Sequence, residues 1–266
     1  MSRPASPTNT PNWRPTWKRS TASRSSSGGQ PVARAKFEVK SVDELAAQPE
    51  EYRAAVRKIV LSHAVNELHG ARVFDEPAIA LAPTPYYKWL ACRIAMEEYG
   101  HHVRFRQLGL DIGIAPEAMT PEAKRPLSIF EFPLKTWAEF CVIKLLADLG
   151  EILQVEDLSH CSFLPLRKLS RMTMPEERFH AEFGREACAE LCETPAGRQA
   201  VQAAIDAYFP YLPAFFGKPR SKNNELFRKW AIKLRSNEEM RADYLRRAQA
   251  LATGLGLKLP ALALEA

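Results

Sequence analysis

Hydrophobic positions along most of this chain recur with the spacing of a helix. From Ser41 onward apolar residues return every three or four positions, and the alternation typical of a β-strand is nearly absent. The pattern predicts four long helices and a shorter fifth one, at 51–73, 84–108, 131–160, 163–192 and 195–208. Segments rich in proline and aromatic residues predict the connections, at 74–85, 110–135 and 209–219. The sequence therefore predicts an all-α fold.

Local signals refine the ends of these helices. Ser41 with Glu44, and Ser236 with Glu239, have the Ser-x-x-Glu spacing of a capping box, which predicts a first and a last helix outside the central four. Pro175 falls inside the fourth long helix and removes a backbone donor. A kink or a local restart of the helix is the expected consequence.

Two copies of the pattern Glu-Glu-x-x-His lie 79 positions apart on the second and fourth long helices, ending at His101 and His180. Positions i and i+3 share one face of a helix, so Glu98 with His101, and Glu177 with His180, each present a carboxylate and an imidazole to one point. Such a pair from each of two helices is half the ligand set of the dinuclear carboxylate bundles, which take one further carboxylate from each remaining helix.

The first of the missing carboxylates is predicted at Glu67. A helical hairpin returns to the same level after roughly 30 residues. Glu67 precedes Glu98 by 31 positions and continues the apolar stripe of its helix, which places it on the face that should be buried.

The second missing carboxylate has three candidates, because Asp148, Glu151 and Glu156 precede Glu177 by 29, 26 and 21 positions. Asp148 fits the hairpin spacing best and lies on an apolar stripe, whereas Glu151 lies off that stripe and Glu156 is too close to Glu177 for a return helix.

Four carboxylates and two imidazoles form a hard, oxygen-rich donor set that favours iron or manganese over zinc.

The sequence says less about the roles of the remaining acidic residues and histidines of these helices. Glu97 and Glu176 are placed either to accept the second N–H of a ligand imidazole or to face solvent. His102 points away from the His101 direction and is expected near the centre without binding metal, or at the surface. The other histidines are interpreted as structural: His63, His69 and His160.

The net charge of +6 comes from the start of the chain. Residues 1–36 hold seven basic and no acidic side chains, with seven serines and five prolines, whereas the rest carries 30 basic against 31 acidic groups. We predict a disordered basic tail at 1–36, with an organellar transit peptide as the alternative, and a helical domain at 37–266. The near-neutral domain argues against a nucleic-acid substrate.

Apolar runs and cysteines bear on the location of the protein. No apolar run approaches the ~18 residues of a membrane span, so no membrane association is expected. The five cysteines lack C-x-x-C spacing and are interpreted as buried thiols in a reducing cytoplasm.

The metal motifs and the C-terminal region together resemble one family, the catalytic A subunits of the phenylacetyl-CoA epoxidases, which are ring-epoxidising multicomponent monooxygenases. The resemblance covers about residues 40–262 and depends on seven segments. These are 66–68, 96–102, 148–150, 176–180, 229–233, 236–241 and 254–260.

The resemblance implies a ferritin-like four-helix bundle with additional C-terminal helices and a non-haem centre of two iron ions. That centre would activate O2 and insert one oxygen atom into the aromatic ring of an aryl-CoA thioester, most simply phenylacetyl-CoA. The implied partners are a non-catalytic ferritin-like subunit together with a small bridging subunit, and a reductase that passes electrons from NADPH through a flavin and a [2Fe-2S] cluster. The family's ligands correspond by motif to six residues of this chain, and its use of Asp at the third carboxylate supports Asp148 over Glu151. The six are Glu67, Glu98, His101, Asp148, Glu177 and His180.

Three other interpretations stay open from the sequence. The first is a di-iron oxygenase acting on a different substrate class, such as a tRNA or an amine. The second is a non-catalytic ferritin-like storage or structural subunit, and the third is a bundle of paired buried charges without metal. A structural subunit is expected to lose some ligands, whereas all six positions are filled here.

Two groups near the C-terminus could contact a substrate. Five aromatic residues between 208 and 216 could line a pocket, although core or interface is the commoner role of such a cluster. Lys229, Lys233 and Arg235 could bind the phosphates of a CoA ester, but solvated surface is the expected role.

Overall fold

A computed structural model describes residues 37–123 and 128–262. The basic tail predicted at 1–36 and the domain boundary beside it lie outside the described residues, so both stay predictions. Within the described ranges no helix is long and apolar enough to cross a lipid bilayer.

Four long helices form the framework of the fold, in agreement with the all-α, ferritin-like prediction. Their bounds are Glu50–Gly70 (α2), Pro85–Asp111 (α4), Trp137–Leu158 (α5) and Leu164–Leu191 (α6). The helices pack as the pairs α2 with α4 and α5 with α6, and α4 also contacts α6. An isolated β-bridge joins Val39 to Phe163, and no strand occurs in the parts of the chain that the structure describes.

Shorter elements surround this framework. A short helix, Val42–Ala46 (α1), precedes α2, and the π-helical segment Ala71–Asp75 and the helix Glu76–Leu81 (α3) follow it. The prediction of a plain connection at 74–85 was therefore wrong for most of that segment. C-terminal to α6 lie α7, a 3₁₀ segment, α8 and α9, at Pro195–Tyr208, Phe209–Phe216, Lys222–Lys229 and Asn237–Gly254.

Side-chain caps fix several helix starts. The capping box of Ser236 and Glu239 is confirmed at the start of α9. Thr136 with Glu139 forms another at the start of α5, which therefore begins six residues later than predicted. Ser41 accepts a hydrogen bond from the Glu44 N–H, but the Glu44 carboxylate accepts from the Lys40 N–H, so that predicted box is only half formed.

Pro175 does not interrupt α6, which continues as one helix from Leu164 to Leu191. The local restart, one of the two consequences expected of Pro175, is therefore absent. Glu177 and His180, which follow the proline, are both buried on the inward face of α6.

Helix α5 lies at the centre of the core and is buried along almost its whole length. Its apolar residues pack on α6, α7 and α9 in one large hydrophobic cluster. Three of the four cysteines in and beside α5 and α6 are fully buried thiols, as predicted, and Cys192 is nearly so. The same prediction was wrong for Cys92, which is exposed on the outer face of α4.

Gly184 allows the backbones of α5 and α6 to approach each other closely. A Cβ atom built at Gly184 would lie 2.3 Å from the backbone nitrogen of Leu145 and 2.5 Å from the carbonyl carbon of Lys144. Backbone atoms cannot yield as a flexible side chain would, so a larger residue would force the two helices apart.

We therefore expect Gly184→Ala to lower the free energy of unfolding by about 1–3 kcal/mol, since it overpacks the contact between two helices. Chemical denaturation followed by circular dichroism would measure the change. The matched control is Gly254→Ala in α9, where a Cβ meets nothing within 4 Å and helix propensity should make the change neutral or stabilising. Equal stability of the two variants would contradict the close helix contact.

Candidate metal centre

The six predicted ligand residues converge at the middle of the four long helices, and all six are buried. They form two overlapping groups, within each of which one ligand atom per residue lies within 4.8 Å of all the others. The first group contains Glu67, Glu98, His101 and Glu177, and the second contains Glu98, Asp148, Glu177 and His180. Glu98 and Glu177 belong to both groups, as carboxylates that bridge two ions would.

The distances within the first group fit a shared ion. The Nδ1 atom of His101 lies 3.1 Å from Glu177 Oε1, 3.4 Å from Glu98 Oε2 and 3.7 Å from Glu67 Oε2. Two ligand atoms that each bind one ion at ~2.1 Å with octahedral geometry are about 3.0 to 4.2 Å apart.

The second group has similar spacing. His180 Nδ1 lies 3.1 Å from Glu98 Oε1 and 3.8 Å from Asp148 Oδ2. The Nδ1 atoms of both imidazoles are buried and make no hydrogen bond within the described residues. Buried polar atoms are normally paired, so these orphaned atoms fit the donors of a metal ion.

The opposite nitrogens of the two imidazoles are bonded crosswise between α4 and α6. His101 Nε2 lies 2.8 Å from Glu176 Oε2, and His180 Nε2 lies 2.8 Å from Glu97 Oε2. A carboxylate accepts, so each Nε2–H is a donor, and Nδ1 is the ring atom of each histidine that points toward the carboxylates of the centre. The extra glutamates of the two motifs therefore orient the imidazoles of His101 and His180, which was one of the two roles expected from the sequence.

Arginines connect these glutamates to the surface. Glu176 accepts two hydrogen bonds from Arg104, at 2.8 and 3.2 Å, and Glu97 accepts one from Arg93 at 2.8 Å. Burial opposes ionisation of both glutamates, but the adjacent imidazole and guanidinium lower the pKa of each carboxyl below its ordinary value. Both therefore remain anionic acceptors.

Lys144 is a buried cation beside the centre that sequence reasoning missed. Its Nζ lies 2.8 Å from Asp75 Oδ1, 2.8 Å from Glu98 Oε1 and 3.2 Å from Asp148 Oδ2, with 3% of the side chain exposed. Its position one turn before Asp148, in an apolar run, was the feature of the sequence that could have indicated its burial. No feature of the sequence indicated the position of Asp75, because Asp75 reaches the centre only through the π-helical segment Ala71–Asp75.

The ionisation of the centre follows from these contacts. Burial raises the pKa of Asp75 to about 7, against the pull of Lys144. Burial also opposes ionisation of Glu98, but Lys144 and the two imidazoles hold the pKa of that carboxyl well below its usual range. Burial disfavours charge on His180, but Glu97 and Glu98 raise its pKa to about 10. The carboxylates thus demand positive charge, and two divalent cations would match the four ligand carboxylates while Asp75 balances Lys144.

The remaining histidines and acids have separate positions. His102 donates from Nδ1 to the Ala64 carbonyl at 2.7 Å and so joins α4 to α2 without reaching the ligands. His160 is exposed, and Glu156 pairs with Arg247 at 3.3 Å, outside the centre. Glu151 lies near Glu67 and His63 in a third group of possible metal ligands.

Two cavities approach the centre from the side of its carboxylates. A small one of about 50 Å³ is lined by Glu67, Glu98 and Asp148, and a larger one of about 420 Å³ opens beside it. Asn66, Glu151 and Phe215 line both cavities, so they form the boundary between them, which we call the throat. His101 and His180 line neither cavity.

The C-terminal candidates are divided between core and cavity. Tyr208, Phe209 and Phe216 are buried in the core, and Phe215 forms part of the throat, so the aromatic cluster serves both expected roles. The surface role predicted for Lys233 was wrong, because it is 7% exposed, lines the larger cavity and donates to Gln154 at 2.5 Å. Lys229 is exposed, as expected.

Replacing Glu97 or Glu176 with Gln removes the negative charge that orients a ligand imidazole. We expect each variant to bind Mn²⁺ about 10–100-fold more weakly than the parent, with little change in unfolding temperature. Electron paramagnetic resonance of free Mn²⁺ during titration would measure the affinity. Glu186→Gln, an exposed position on α6, is the control, and parent-like affinity in both centre variants would refute the orienting role.

Lys144→Met should destabilise the metal-free protein by about 3–5 kcal/mol, because it leaves buried carboxylates without their cation. A bound divalent ion replaces that charge, so the rise in melting temperature on adding Mn²⁺ should be larger in the variant than in the parent. Calorimetry with and without Mn²⁺ would test this. The exposed Lys168→Met is the control, and an unchanged metal-dependent rise would contradict the prediction.

Comparison with known proteins agrees with the family resemblance seen in the sequence motifs. The chain is 27% identical over 237 residues to the A subunit of 1,2-phenylacetyl-CoA epoxidase from Escherichia coli (strain K12), across 85% of this chain and 76% of that protein. The family model described as phenylacetic acid catabolic protein matches residues 36–265, a range that contains every helix of the centre. This chain therefore belongs to the phenylacetic acid catabolic protein family.

Proposed function

We propose that this chain is the catalytic component of a multicomponent non-haem di-iron monooxygenase that epoxidises the aromatic ring of an aryl-CoA thioester. The observation that carries the proposal is the convergence of six buried ligand residues from four helices into two groups that share Glu98 and Glu177. The relative is named as a component of 1,2-phenylacetyl-CoA epoxidase, which makes phenylacetyl-CoA the substrate of first choice.

Both the donor set and the proposed reaction favour iron as the metal. Carboxylate-rich sites with one imidazole per ion suit iron or manganese better than zinc. Two iron ions, when bound, supply the activation of O2 and the transfer of one oxygen atom. Glu67 and His101 would hold one ion and Asp148 and His180 the other.

The protein residues around the centre have defined tasks. Glu97 and Glu176 accept the Nε2 protons and keep each Nδ1 directed inward. The apolar residues of α5 and the buried faces of α4 and α6 exclude water from the reacting atoms. Asp75 holds the Lys144 ammonium beside Glu98 and so limits the net charge of the pocket.

The larger cavity is the proposed substrate site. Its volume of about 420 Å³ lies in the range of small-molecule sites, and its wall combines aromatic with amide and ammonium groups. Phe215 at the throat would contact the arene next to the carboxylate side of the centre. Lys58 and Lys233 in the wall supply positive charge for a ligand that carries phosphates.

The name of the relative, as one lettered component of an epoxidase, supports partner proteins for this chain as well. We assign it a non-catalytic ferritin-like subunit together with a small bridging subunit, and a reductase that delivers electrons from NADPH through a flavin and a [2Fe-2S] cluster. A cytoplasmic location and the absence of nucleic-acid or membrane partners complete the proposal.

Glu98→Ala and Glu177→Ala each remove a carboxylate that both groups share, so we expect iron content and turnover to be lost together. The parent should carry two irons per chain and, with partner subunits and NADPH, convert phenylacetyl-CoA in the presence of O2. Metal analysis and mass spectrometry of the CoA product would measure both. Glu182→Ala, on the exposed face of α6, is the control. An iron-free variant that still turns over would refute the assignment.

A further inference from the structure

A third group of possible metal ligands lies beside the dinuclear centre. His63 and Glu67 on α2 and Glu151 on α5 each place one ligand atom within 4.8 Å of the other two. His63 and Glu151 also line the larger cavity, and Glu67 lines the smaller one. The group is therefore located at the throat, between the larger cavity and the dinuclear centre.

Glu67 faces both sites with different oxygen atoms. Its Oε2 atom lies 3.7 Å from His101 Nδ1 in the dinuclear centre, whereas its Oε1 atom lies 3.8 Å from His63 Nδ1 at the throat. A carboxylate can bind two cations through its two oxygens. One side chain can thus belong to the first group of the centre and to the throat group at the same time.

The other two members direct polar atoms toward the same space. His63 is 8% exposed and stacks on the Phe105 ring, and its Nδ1 atom lies 3.8 Å from Glu67 Oε1, which is too long for a hydrogen bond. Glu151 Oε2 is buried without a hydrogen-bond partner among the described residues. A buried polar atom without a partner is costly, and a cation bound by this group would satisfy Glu151 Oε2.

We propose that His63, Glu67 and Glu151 form a third cation site, which binds a divalent first-row metal at the throat and shares Glu67 with the dinuclear centre. One imidazole and two carboxylates are suitable ligands for Mn²⁺, Fe²⁺ or Zn²⁺. With three protein ligands the site leaves positions for water from the larger cavity.

The test is a Mn²⁺ titration of the metal-stripped full-length chain, with free Mn²⁺ followed by electron paramagnetic resonance. The parent should bind three equivalents, and His63→Ala and Glu151→Gln should each bind two. The controls are His69→Ala and Glu156→Gln, which lie on the same two helices outside the group and should retain three. Glu151→Gln is nearly isosteric, so it decides the matter if His63→Ala fails to fold.

Anomalous diffraction from Mn²⁺-soaked crystals would locate each ion. A peak between His63, Glu67 and Glu151 supports the site, and two peaks confined to the dinuclear centre overturn it. Two equivalents in the parent and in every variant overturn it as well. The proposal depends on the dinuclear centre through Glu67, but not on the oxidation reaction. An ion at His63 with none between His101 and His180 would support the third site and contradict the proposed function.

Discussion

The burial of carboxylates in the middle of an apolar bundle is the constraint on which the rest of this structure depends. Glu67, Glu98, Asp148 and Glu177 are at most 8% exposed, and an unpaired charge in such surroundings is strongly unfavourable. Their nearest basic partners are two imidazoles and Lys144, whose ammonium contacts two of these carboxylates. Lys144 and two protonated imidazoles supply at most three positive charges, whereas these four carboxylates and Asp75 offer five negative ones, and this imbalance favours cation binding.

Close packing of α5 against α6 brings that lysine into place. Gly184 faces the backbone at Lys144 and Leu145, so the helix that carries Asp148 and the helix that carries Glu177 are held near each other close to the point where the ligands meet. Stability and metal geometry are therefore coupled at one contact. Beside this contact, the Lys144 ammonium lies 2.8 Å from both Glu98 and Asp75.

The sequence was sufficient to predict which residues converge, because periodicity determines which residues share a helix face. The i, i+3 spacing and the hairpin length identified all six residues that converge, although Glu151, the alternative to Asp148, also lies nearby. Contacts that depend on how the helices are arranged in three dimensions were not predictable. The crosswise pairing of Glu97 with His180 requires the relative position of two helices, and Asp75 arrives through a π-helical turn. The burial of Lys233 was not predictable either, because it lies between α8 and α9, where periodicity carries no information about burial.

The two sides of the centre differ in how firmly their ligands are held. On the side of α4 and α6, each imidazole is fixed through a glutamate to an arginine. On the cavity side, the Lys144 ammonium holds Glu98 at 2.8 Å and Asp148 at 3.2 Å, whereas the Glu67 carboxylate lies 3.7 and 3.8 Å from the two imidazoles that it faces. The Glu67 carboxylate can therefore move, while the imidazoles and the carboxylates beside Lys144 keep their positions. A site that must admit both a metal and a bulky substrate gains from this division, since adjustment is confined to Glu67.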